Sequence, residues 1–489
     1  MPQTITAPEI MVPMFEGDTP SDLSVELIIQ LNLDVTILRR GPEAWTNVCV
    51  RGLGHGNTRL LIQQAGTGTG PRPKLPVPIA GVLRDREGRQ LNCNCLVCSP
   101  HPLVMFPSRS HTILRASGPK LLTRHARTLT TAPTVAVLYQ AIEPPVINGV
   151  RKPRKPGGYQ DSGADIAYTL QQKGVKVLKS DPSAHVSVNK GWTFPDTEEG
   201  INSAIQQGAT HLWANTILFN SHPLQKSATL TPLSDKIHVV GQPPALVENF
   251  DDKAYLNGKL AQLDGFTLPR SWLITPENLG DVIKQIGSDR YPIVGKPVRG
   301  RGSHGVKVCR DQEQLRKHTE GLFAESPLVM LEEFLAGEEA TITVMSPTPE
   351  TPRHWSMPPV TRFNHADGIA PYNGVVAVTA NSRVVSETEM KDSAYGKIMR
   401  ECERVASLIG ATAPIRVDVR RFDEGGDFAL FDINMKPNMT GPGRPGREDQ
   451  ASLTAIAASA LGWDYGTLLE NILQGAQSLS VFRNYRSPF

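Results

Sequence analysis

Four polar side chains near the C-terminus, Arg416, Asp418, Asp432 and Asn434, have the chemistry of a metal site. The first two lie in one apolar, β-prone run and the last two in the next, and an acidic, glycine-containing turn separates the runs. One antiparallel register places Asp418 opposite Asp432 and Arg416 opposite Asn434. Side chains two apart on a strand share a face, so the sequence predicts three oxygen donors beside a guanidinium. That set suits Mg²⁺ with phosphates; the alternative is the solvated face of an edge hairpin.

An anion-binding pattern lies upstream of these residues. An apolar run that contains Lys296 leads into a loop with Gly300, Gly302 and Gly305, and a strand-like run follows at 306–308. Glycines let the main chain approach a phosphate closely, and lysine adds a charge. The pattern has neither the helix that follows a dinucleotide-binding turn nor the ending of a P-loop. It predicts a flap over a nucleotide; the alternative is an ordinary glycine hairpin.

A third block, residues 328–344, consists of an apolar run, a short polar linker and a second apolar run. A carboxylate or a main-chain carbonyl on such a linker can accept a hydrogen bond from an adenine amino group, and a second carboxylate can hold ribose hydroxyls. Glu332 and Glu339 are the candidates for these two contacts. The alternative is that both are solvated loop charges.

In this order, the three blocks resemble the ATP-grasp superfamily and, within it, the branch of D-alanine–D-alanine ligase. The resemblance covers roughly residues 235–475 and is strongest from Arg416 to Thr440. It implies an α/β and α+β multidomain fold. In that fold an ATP-grasp module of two α+β lobes follows a small parallel α/β domain and an N-terminal extension.

The resemblance also implies roles for individual residues. The phosphates of ATP would be held by Lys253 and Lys296, beneath a flap that contains Gly302, Ser303 and His304. The adenine and ribose would contact Glu332, Glu333, Leu335 and Glu339. Asp418, Asp432 and Asn434 would bind Mg²⁺, or Mn²⁺ in its place. The residues predicted to act in catalysis are Arg416, which would steady the transferred phosphoryl group, Ser303 and Arg444.

The sequence departs from the pattern of that branch at three places. Asp432 stands where the middle metal ligand is usually glutamate. The mobile loop that closes over the phosphates has no clear match, and Arg362 and His365 are the candidates for its role. The serine that helps to hold the acceptor carboxylate falls near Gly443, in a loop that carries Arg444. An arginine fork can bind a carboxylate, so we expect Arg444 to contact an acceptor other than D-alanine.

The chemistry that the resemblance implies is ligation. ATP would activate a carboxylate as an acyl phosphate, and an amine would attack it to form an amide with release of ADP and phosphate. Small-molecule carboxylates and amines are therefore the expected partners, without nucleic acid or membrane, and a homodimer is left open. The alternatives are a kinase of the same fold that phosphorylates a small-molecule hydroxyl and a nucleotide-binding regulator without turnover.

Length and composition limit the remaining possibilities. The 489 residues are 39% hydrophobic, which suits two to four folded domains. A net charge of +3 is too small to indicate nucleic-acid binding. There is no apolar run of the ~20 residues that a membrane span needs and no signal pattern, so a cytoplasmic enzyme is expected. The predicted domains are 1–132 (an extension of unknown role), 133–245 (α/β), 246–345 (the first lobe) and 346–489 (the second lobe with the metal site).

The region before the first lobe alternates strand and helix from residue 134 to 214, which predicts a parallel sheet. A basic, glycine-containing segment, residues 151–161, follows its first strand. Open α/β sheets bind ligands at the carboxyl ends of their strands, so this basic segment is either a wall of the substrate pocket or a solvated run of charge.

Three of the six cysteines, Cys93, Cys95 and Cys98, cluster near His101. Structural zinc sites usually draw ligands from two separated segments, and one short segment would have to supply every ligand here. We therefore expect these cysteines to be metal-free thiols.

Overall fold

The computed structural model describes residues 132–369 and 378–489, together with the backbone of short strands between residues 28 and 94. The chain divides into two compact units, Met1–Arg124 and His125–Phe489. In the first unit, Leu33–Arg39, Trp45–Gly52 and Asn57–Gln63 form an antiparallel sheet. The other strand pairs of this unit are Ile28–Ile29 with Cys93–Asn94 and Leu83–Arg84 with Gln90–Leu91. The side chains of Cys93, Cys95, Cys98 and His101 lie outside the described residues.

The second unit begins with the predicted parallel sheet. Its central strand, Thr134–Tyr139, is buried on both faces, because Val135 and Val137 join one hydrophobic cluster while Ala136 and Leu138 join another. The strands lie in the order Lys176–Leu178, Thr134–Tyr139, His211–Asn215, His238–Val240 and Gln477–Ser478, with Phe194–Pro195 beside Thr134–Tyr139. Only Gln477–Ser478 is antiparallel to its neighbour in this described sheet. Helices Gln160–Gln172 and Glu198–Gln206 connect the early strands, as predicted.

Two antiparallel sheets follow. The four-stranded sheet has the order Ser271–Ile274, Val329–Glu333, Ile293–Pro297 and Lys307–Cys309, and helices Leu279–Ile286 and Gln312–Leu322 complete its core. The six-stranded sheet has the order Ser382–Val384, Val360–Arg362, Glu339–Met345, Ile415–Arg421 and Phe428–Asn434, with Trp355–Ser356 beside Glu339–Met345. Helix Ser393–Ile409 packs on this sheet through residues such as Ile398 and Val405.

The remaining elements of the second unit are short. The helices are Pro223–Lys226, Pro244–Phe250, Lys253–Leu260, Leu453–Ser459, Tyr465–Gln474 and Leu479–Arg483. The 3-10 turns are Pro156–Tyr159, Thr231–Leu233, Val378–Ala380 and Glu389–Lys391, and Val146–Ile147 pairs with Val150–Arg151. No helix within the described ranges is long and apolar enough to cross a membrane.

The polar linker at residues 334–338 joins the two antiparallel sheets. It leaves Val329–Glu333 in the four-stranded sheet and enters Glu339–Met345 in the six-stranded sheet. The sequence predicted the strand, linker and second strand, but not that the strands belong to different sheets. This arrangement of one parallel sheet and two antiparallel sheets with helices confirms the predicted α/β and α+β class.

The strands Ile415–Arg421 and Phe428–Asn434, which we call the acidic hairpin, have the predicted register. Asp418 pairs with Asp432 and Arg416 with Asn434, and the register shifts only after Asp418. A β-bulge increases the local twist of a hairpin. It lies on the turn side of the four polar residues, so it leaves their pairing intact.

We expect His211, at the start of its strand, to make the folded chain sensitive to acid. Burial, and then the charge of the stacked ring of His238, lower the pKa of His211 to about 4. The unfolded chain takes up this proton near its ordinary pKa of 6.5. Stability is therefore full above pH 6.5 and is lost as the pH falls towards 4.

His211→Gln should reduce that acid loss by about 1–2 kcal/mol, after allowance for solvent screening. Unfolding followed between neutral and acidic pH measures it, with His185→Gln as the control at an exposed histidine. An unchanged acid loss in His211→Gln would contradict the assignment.

Candidate functional site

A cleft of about 990 Å³ is lined by residues of both antiparallel sheets and of the basic segment. The structure brings together at this cleft every predicted site residue except Arg444. They are Lys253, Lys296, Gly302, Ser303, His304, Glu332, Glu333, Leu335, Glu339, Arg416, Asp418, Asp432 and Asn434. The basic segment contributes Lys152, Arg154, Lys155, Tyr159 and Asp161 to the wall, so it is a wall of the cleft rather than a solvated run of charge.

The acidic hairpin holds Asp418 in a fixed position. Its Oδ1 accepts hydrogen bonds from Thr341 Oγ1 at 2.7 Å and Arg416 Nε at 3.1 Å. Its Oδ2 accepts from Arg416 Nη2 at 2.9 Å and from Asn434 Nδ2 at 3.3 Å. The amide nitrogen of Asn434 therefore faces Asp418, which leaves the amide oxygen for another ligand.

Asp432, opposite Asp418, forms an ion pair with Lys253, whose Nζ lies 3.1 Å from Oδ1. Burial raises the pKa of Asp432, but the charges of Lys253, Lys296 and Arg416 outweigh burial and lower it below the ordinary value. Burial likewise lowers the pKa of Lys253, but the charges of Asp432 and Asp251 and the hydrogen bond to Asp432 together outweigh burial, so that pKa is raised. Both groups therefore stay charged at neutral pH.

Local structure explains why Lys253 reaches this carboxylate. Asp252 caps helix Lys253–Leu260, because its Oδ1 accepts from Tyr255 N at 3.0 Å. The main-chain N–H of Lys253 donates to Val298 O at 3.0 Å, at the end of the lysine-containing strand. The helix start is thus fixed beside the loop that the sequence predicted to bind phosphate.

Lys296 and Glu332 form a buried ion pair, and Lys296 Nζ also donates to Phe431 O at 3.1 Å. Burial raises the pKa of the Glu332 carboxyl, and Lys296 opposes this only in part. The structure therefore places Glu332 at the cleft as the partner of Lys296. Its carboxylate is engaged inside the protein rather than presented to an adenine.

Other groups on the linker are better placed to meet a base. Glu333 is exposed at the cleft. The main-chain groups of Leu335, where the linker crosses between sheets, have no hydrogen bond within the described residues. A main-chain N–H and carbonyl in this position can read an adenine edge.

Glu339, predicted to contact ribose, is buried and held by three basic side chains. Its Oε2 accepts from His365 Nε2 at 2.8 Å and lies 3.7 Å from Arg420 Nη1, and its Oε1 lies 3.5 Å from Arg362 Nη1. The structure thus places Arg362 and His365, the candidates for the closing loop, beside Glu339. They fix the orientation of this carboxylate.

Residues 298–306, which we call the glycine loop, contain three left-handed residues, Gly302, Ser303 and Gly305, with φ of 58°, 58° and 70°. Within the described chain the amides of these residues donate to no acceptor, whereas those of His304 and Val306 close local turns. Successive amides of this kind form an anion-binding nest. A Cβ at Gly305 would lie 2.9 Å from Leu322 Cδ2, so glycine is required there. His304 forms an exposed ion pair with Glu325 at 2.7 Å.

The prediction for Arg444 needs correction, because this side chain is buried and is not among the residues that line the cleft. Its Nε donates to Asp165 Oδ1 at 2.8 Å and its Nη1 to Val188 O at 2.7 Å. Its Nη2 donates to Asn189 Oδ1 at 2.6 Å. With its fork engaged inside the protein, Arg444 acts in structure and does not reach an acceptor.

Close packing also explains why glycine stands at position 443. A Cβ there would lie 2.7 Å from Thr169 Oγ1 and 2.8 Å from Asp165 O, on helix Gln160–Gln172. A serine side chain would therefore clash with the helix. The serine contact that the resemblance implies near this position therefore cannot come from residue 443.

The sequence reasoning singled out the basic segment that contains Lys155 and Tyr159, but it did not identify Lys436 and Arg301 as further cations around Tyr159. Lys436 Nζ lies 3.4 Å, Lys155 Nζ 5.0 Å and Arg301 Cζ 5.8 Å from the centroid of its ring. We call these four residues, all of which line the cleft, the Tyr159 cage. Burial, followed by the charge of Lys155, lowers the pKa of Lys436 well below the ordinary value for lysine. The sequence signal that could have identified Lys436 is its position between Met435 and Pro437, directly after the acidic hairpin.

The donor set at the acidic hairpin fits a hard divalent cation. Two carboxylates and one amide oxygen come from facing strand positions. Within the described ranges no three His, Cys, Asp or Glu side chains form a metal cluster, so a cation here would depend on Asn434 as a third protein ligand.

Much of the chain that forms this cleft is similar in sequence to known proteins. Residues 264–474 match the family model described as the C-terminus of D-ala D-ala ligase. The D-alanine–D-alanine ligase of Syntrophotalea carbinolica is 28% identical over 186 residues, 38% of this chain and 54% of that protein. That of Acinetobacter baylyi is 27% identical over 215 residues, 44% of this chain and 62% of that protein. The chain thus spans less than two thirds of either relative.

Among solved structures, the chain is similar to D-alanine–D-alanine ligase from Bacillus anthracis complexed with ATP. The match covers 72% of this chain and 99% of that chain, with 18% sequence identity and a TM-score of 0.48.

We expect Arg444→Ala to destabilise the chain. Asp165 is fully buried and would keep only Arg447, whose Nε lies 2.8 Å from Oδ1. Removal of one partner from a buried ion pair typically costs about 3–5 kcal/mol of stability. Because Arg447 still pairs with Asp165, we expect a loss at the lower end, about 3 kcal/mol. Calorimetric unfolding measures this loss, with Arg353→Ala as the control at an exposed arginine. Unchanged stability of the variant, together with weaker use of an acceptor substrate, would instead support the predicted contact between Arg444 and the acceptor.

Proposed function

We propose that this chain, a D-alanine–D-alanine ligase-like protein of the ATP-grasp superfamily over residues 264–474, is an ATP-dependent carboxylate–amine ligase. It would activate a carboxylate as an acyl phosphate and join it to the amine of an amino acid or a peptide-like acceptor, with release of ADP and phosphate. The observation that carries the proposal is that Lys253 and Lys296, the lysines expected at the phosphates, both contact the acidic hairpin. Lys253 contacts Asp432 at 3.1 Å, and Lys296 contacts the strand of Asp432 through Phe431 O at 3.1 Å.

The nucleotide would lie along the cleft. Leu335 and Glu333 would meet the adenine, and Glu339, whose orientation His365 fixes at 2.8 Å, would hold the ribose. The amides of the glycine loop would cover the phosphates, and Lys253 and Lys296 would approach them from below. Because each lysine already has a carboxylate partner, the cleft contains both positive charges without a large net charge.

Asp418, Asp432 and Asn434 are the residues that would hold Mg²⁺ or Mn²⁺. When bound, the cation would offset the negative charge of the phosphates. A nucleotide phosphate can replace Asp432 as the partner of Lys253 once that carboxylate has another cation to neutralise it.

Arg416 would stabilise the charge of the transferred phosphoryl group. Its guanidinium is held by Asp418 at 2.9 and 3.1 Å, so little reorganisation is needed. Positioning and fixed charge supply catalysis in phosphoryl transfer, so no nucleophilic serine or cysteine is required. The acyl phosphate keeps the carbonyl carbon open to the amine, whose attack forms the C–N bond and expels phosphate.

The experiment that tests the function is product analysis. The full chain, with ATP and Mg²⁺, is screened for ADP release over pairs of carboxylates and amines, and mass spectrometry identifies the product. We expect an amide with one free phosphate per ADP. A stable phosphoester would identify a kinase instead, and nucleotide binding without turnover over the whole panel would identify a regulator.

We expect Asp432→Ala to lower the rate of ADP release by about 10²-fold or more, because it removes a ligand of the cation that would offset the charge of the phosphates. The matched control is Glu424→Ala, at an exposed residue in the turn of the same hairpin, which should keep its activity. Circular dichroism checks that both variants are folded. Near-normal turnover of folded Asp432→Ala at limiting Mg²⁺ would contradict the assignment.

A further inference from the structure

The Tyr159 cage carries more positive charge than the residues beside it neutralise. Lys155 is paired with Asp161, whose Oδ2 lies 2.8 Å from its Nζ. Within the described part of the chain, the Nζ of Lys436 is buried without a hydrogen-bond partner, and Arg301 has no ion pair. A buried cation that faces a ring alone is unfavourable relative to one with an acceptor. The cage is therefore suited to an anion.

The fold fixes the main chain of Tyr159 and buries its side chain at the centre of the cage. The residue is buried and adopts a left-handed φ of 67°. Its carbonyl accepts a hydrogen bond from Asn215 Nδ2 at 3.0 Å, and the preceding Gly158 O accepts from Gln140 N at 2.8 Å. The cations converge on a fixed surface, which is how a binding site is organised in advance of its ligand.

The cage is separate in its bonding from the lysines proposed to hold phosphates. Lys253 and Lys296 are each paired with a carboxylate, Asp432 and Glu332. Within the described ranges, no hydrogen bond or ion pair joins either lysine to the cage. Lys155 lies on the basic segment and Lys436 on the stretch after the acidic hairpin, whereas Arg301 lies on the glycine loop. The positions of Lys155 and Lys436 favour a second anion over a nucleotide phosphate.

We propose that the Tyr159 cage binds a carboxylate of the substrate other than the one that is activated, held between Lys436 and Arg301, so that the enzyme takes an acidic amino acid. This inference rests on the proposed ligase function and specifies its substrate class. A lysine supplies a point charge and an arginine a planar two-point fork, so together they match the two oxygens of a carboxylate. The Tyr159 ring, which both cations approach, would exclude water from part of the site.

The test uses substrate pairs that differ by one carboxylate. Binding of glutamate against glutamine, and of aspartate against asparagine, in both chiralities, is measured by calorimetry on the full chain saturated with a non-hydrolysable ATP analogue and Mg²⁺. We expect at least one acidic amino acid to bind about tenfold or more tightly than its amide, since hydrogen bonds to charged groups are the stronger ones. Lys436→Met should abolish this preference and Lys436→Arg should retain much of it.

Affinity for the ATP analogue in each variant separates the two sources of anion. It should stay within about twofold in Lys436→Met, because the second carboxylate is the ligand. An equal loss of nucleotide affinity would assign the cage to phosphate and overturn the proposal, as would equal binding of each acid and its amide. Lys307→Met, at an exposed lysine on the neighbouring strand, is the matched control. Arg301→Gln gives a second reading if Lys436→Met fails to fold.

The binding assay requires no turnover, so the two proposals can fail separately. Amide formation without any preference for acidic amino acids would support the ligase function and refute carboxylate binding by the Tyr159 cage. A preference for acids that depends on Lys436, without an amide product, would refute the ligase function and leave the carboxylate site in place.

Discussion

The site depends on one constraint, the register of the acidic hairpin. Because Asp418 faces Asp432 and Arg416 faces Asn434, three oxygen donors and a guanidinium share one face of two strands. A shift of one strand by one residue would turn its two polar side chains to the opposite face, away from the other two. The bulge after Asp418 leaves this pairing intact. Thr341, on the next strand, donates to Asp418 at 2.7 Å, so the register is supported from both sides.

Charge balance connects this hairpin to the rest of the cleft. Asp432 neutralises Lys253, and Glu332 neutralises Lys296 beside Phe431. The capped helix delivers Lys253 to this place, and two strands of the four-stranded sheet deliver Lys296 and Glu332. The Tyr159 cage departs from this balance. Its Lys436 has a buried nitrogen without a partner among the described residues, which is why a substrate charge is expected there.

Much of this could be predicted from local sequence, and the failures share a physical cause. The resemblance to the D-alanine–D-alanine ligase branch is confirmed. The period-two pattern and the turn residues predicted the hairpin register correctly, and the alternation of strand and helix predicted the parallel sheet correctly. Arg444 and Glu332 were assigned to ligands because sequence indicates what a side chain can bind, not which partner reaches it first. Asp165 is 279 residues from Arg444. Lys436 was missed because its nitrogen is buried against Tyr159, which lies far away in the chain.

The central claim is that the facing carboxylates form one cation site that acts with the nucleotide. Electron paramagnetic resonance of Mn²⁺, titrated into the full chain with a non-hydrolysable ATP analogue, tests it most directly. The account predicts tightly bound Mn²⁺ that depends on the analogue and is lost when Asp418 and Asp432 are both replaced by asparagine in a folded chain. Undiminished Mn²⁺ binding in that double variant would contradict it.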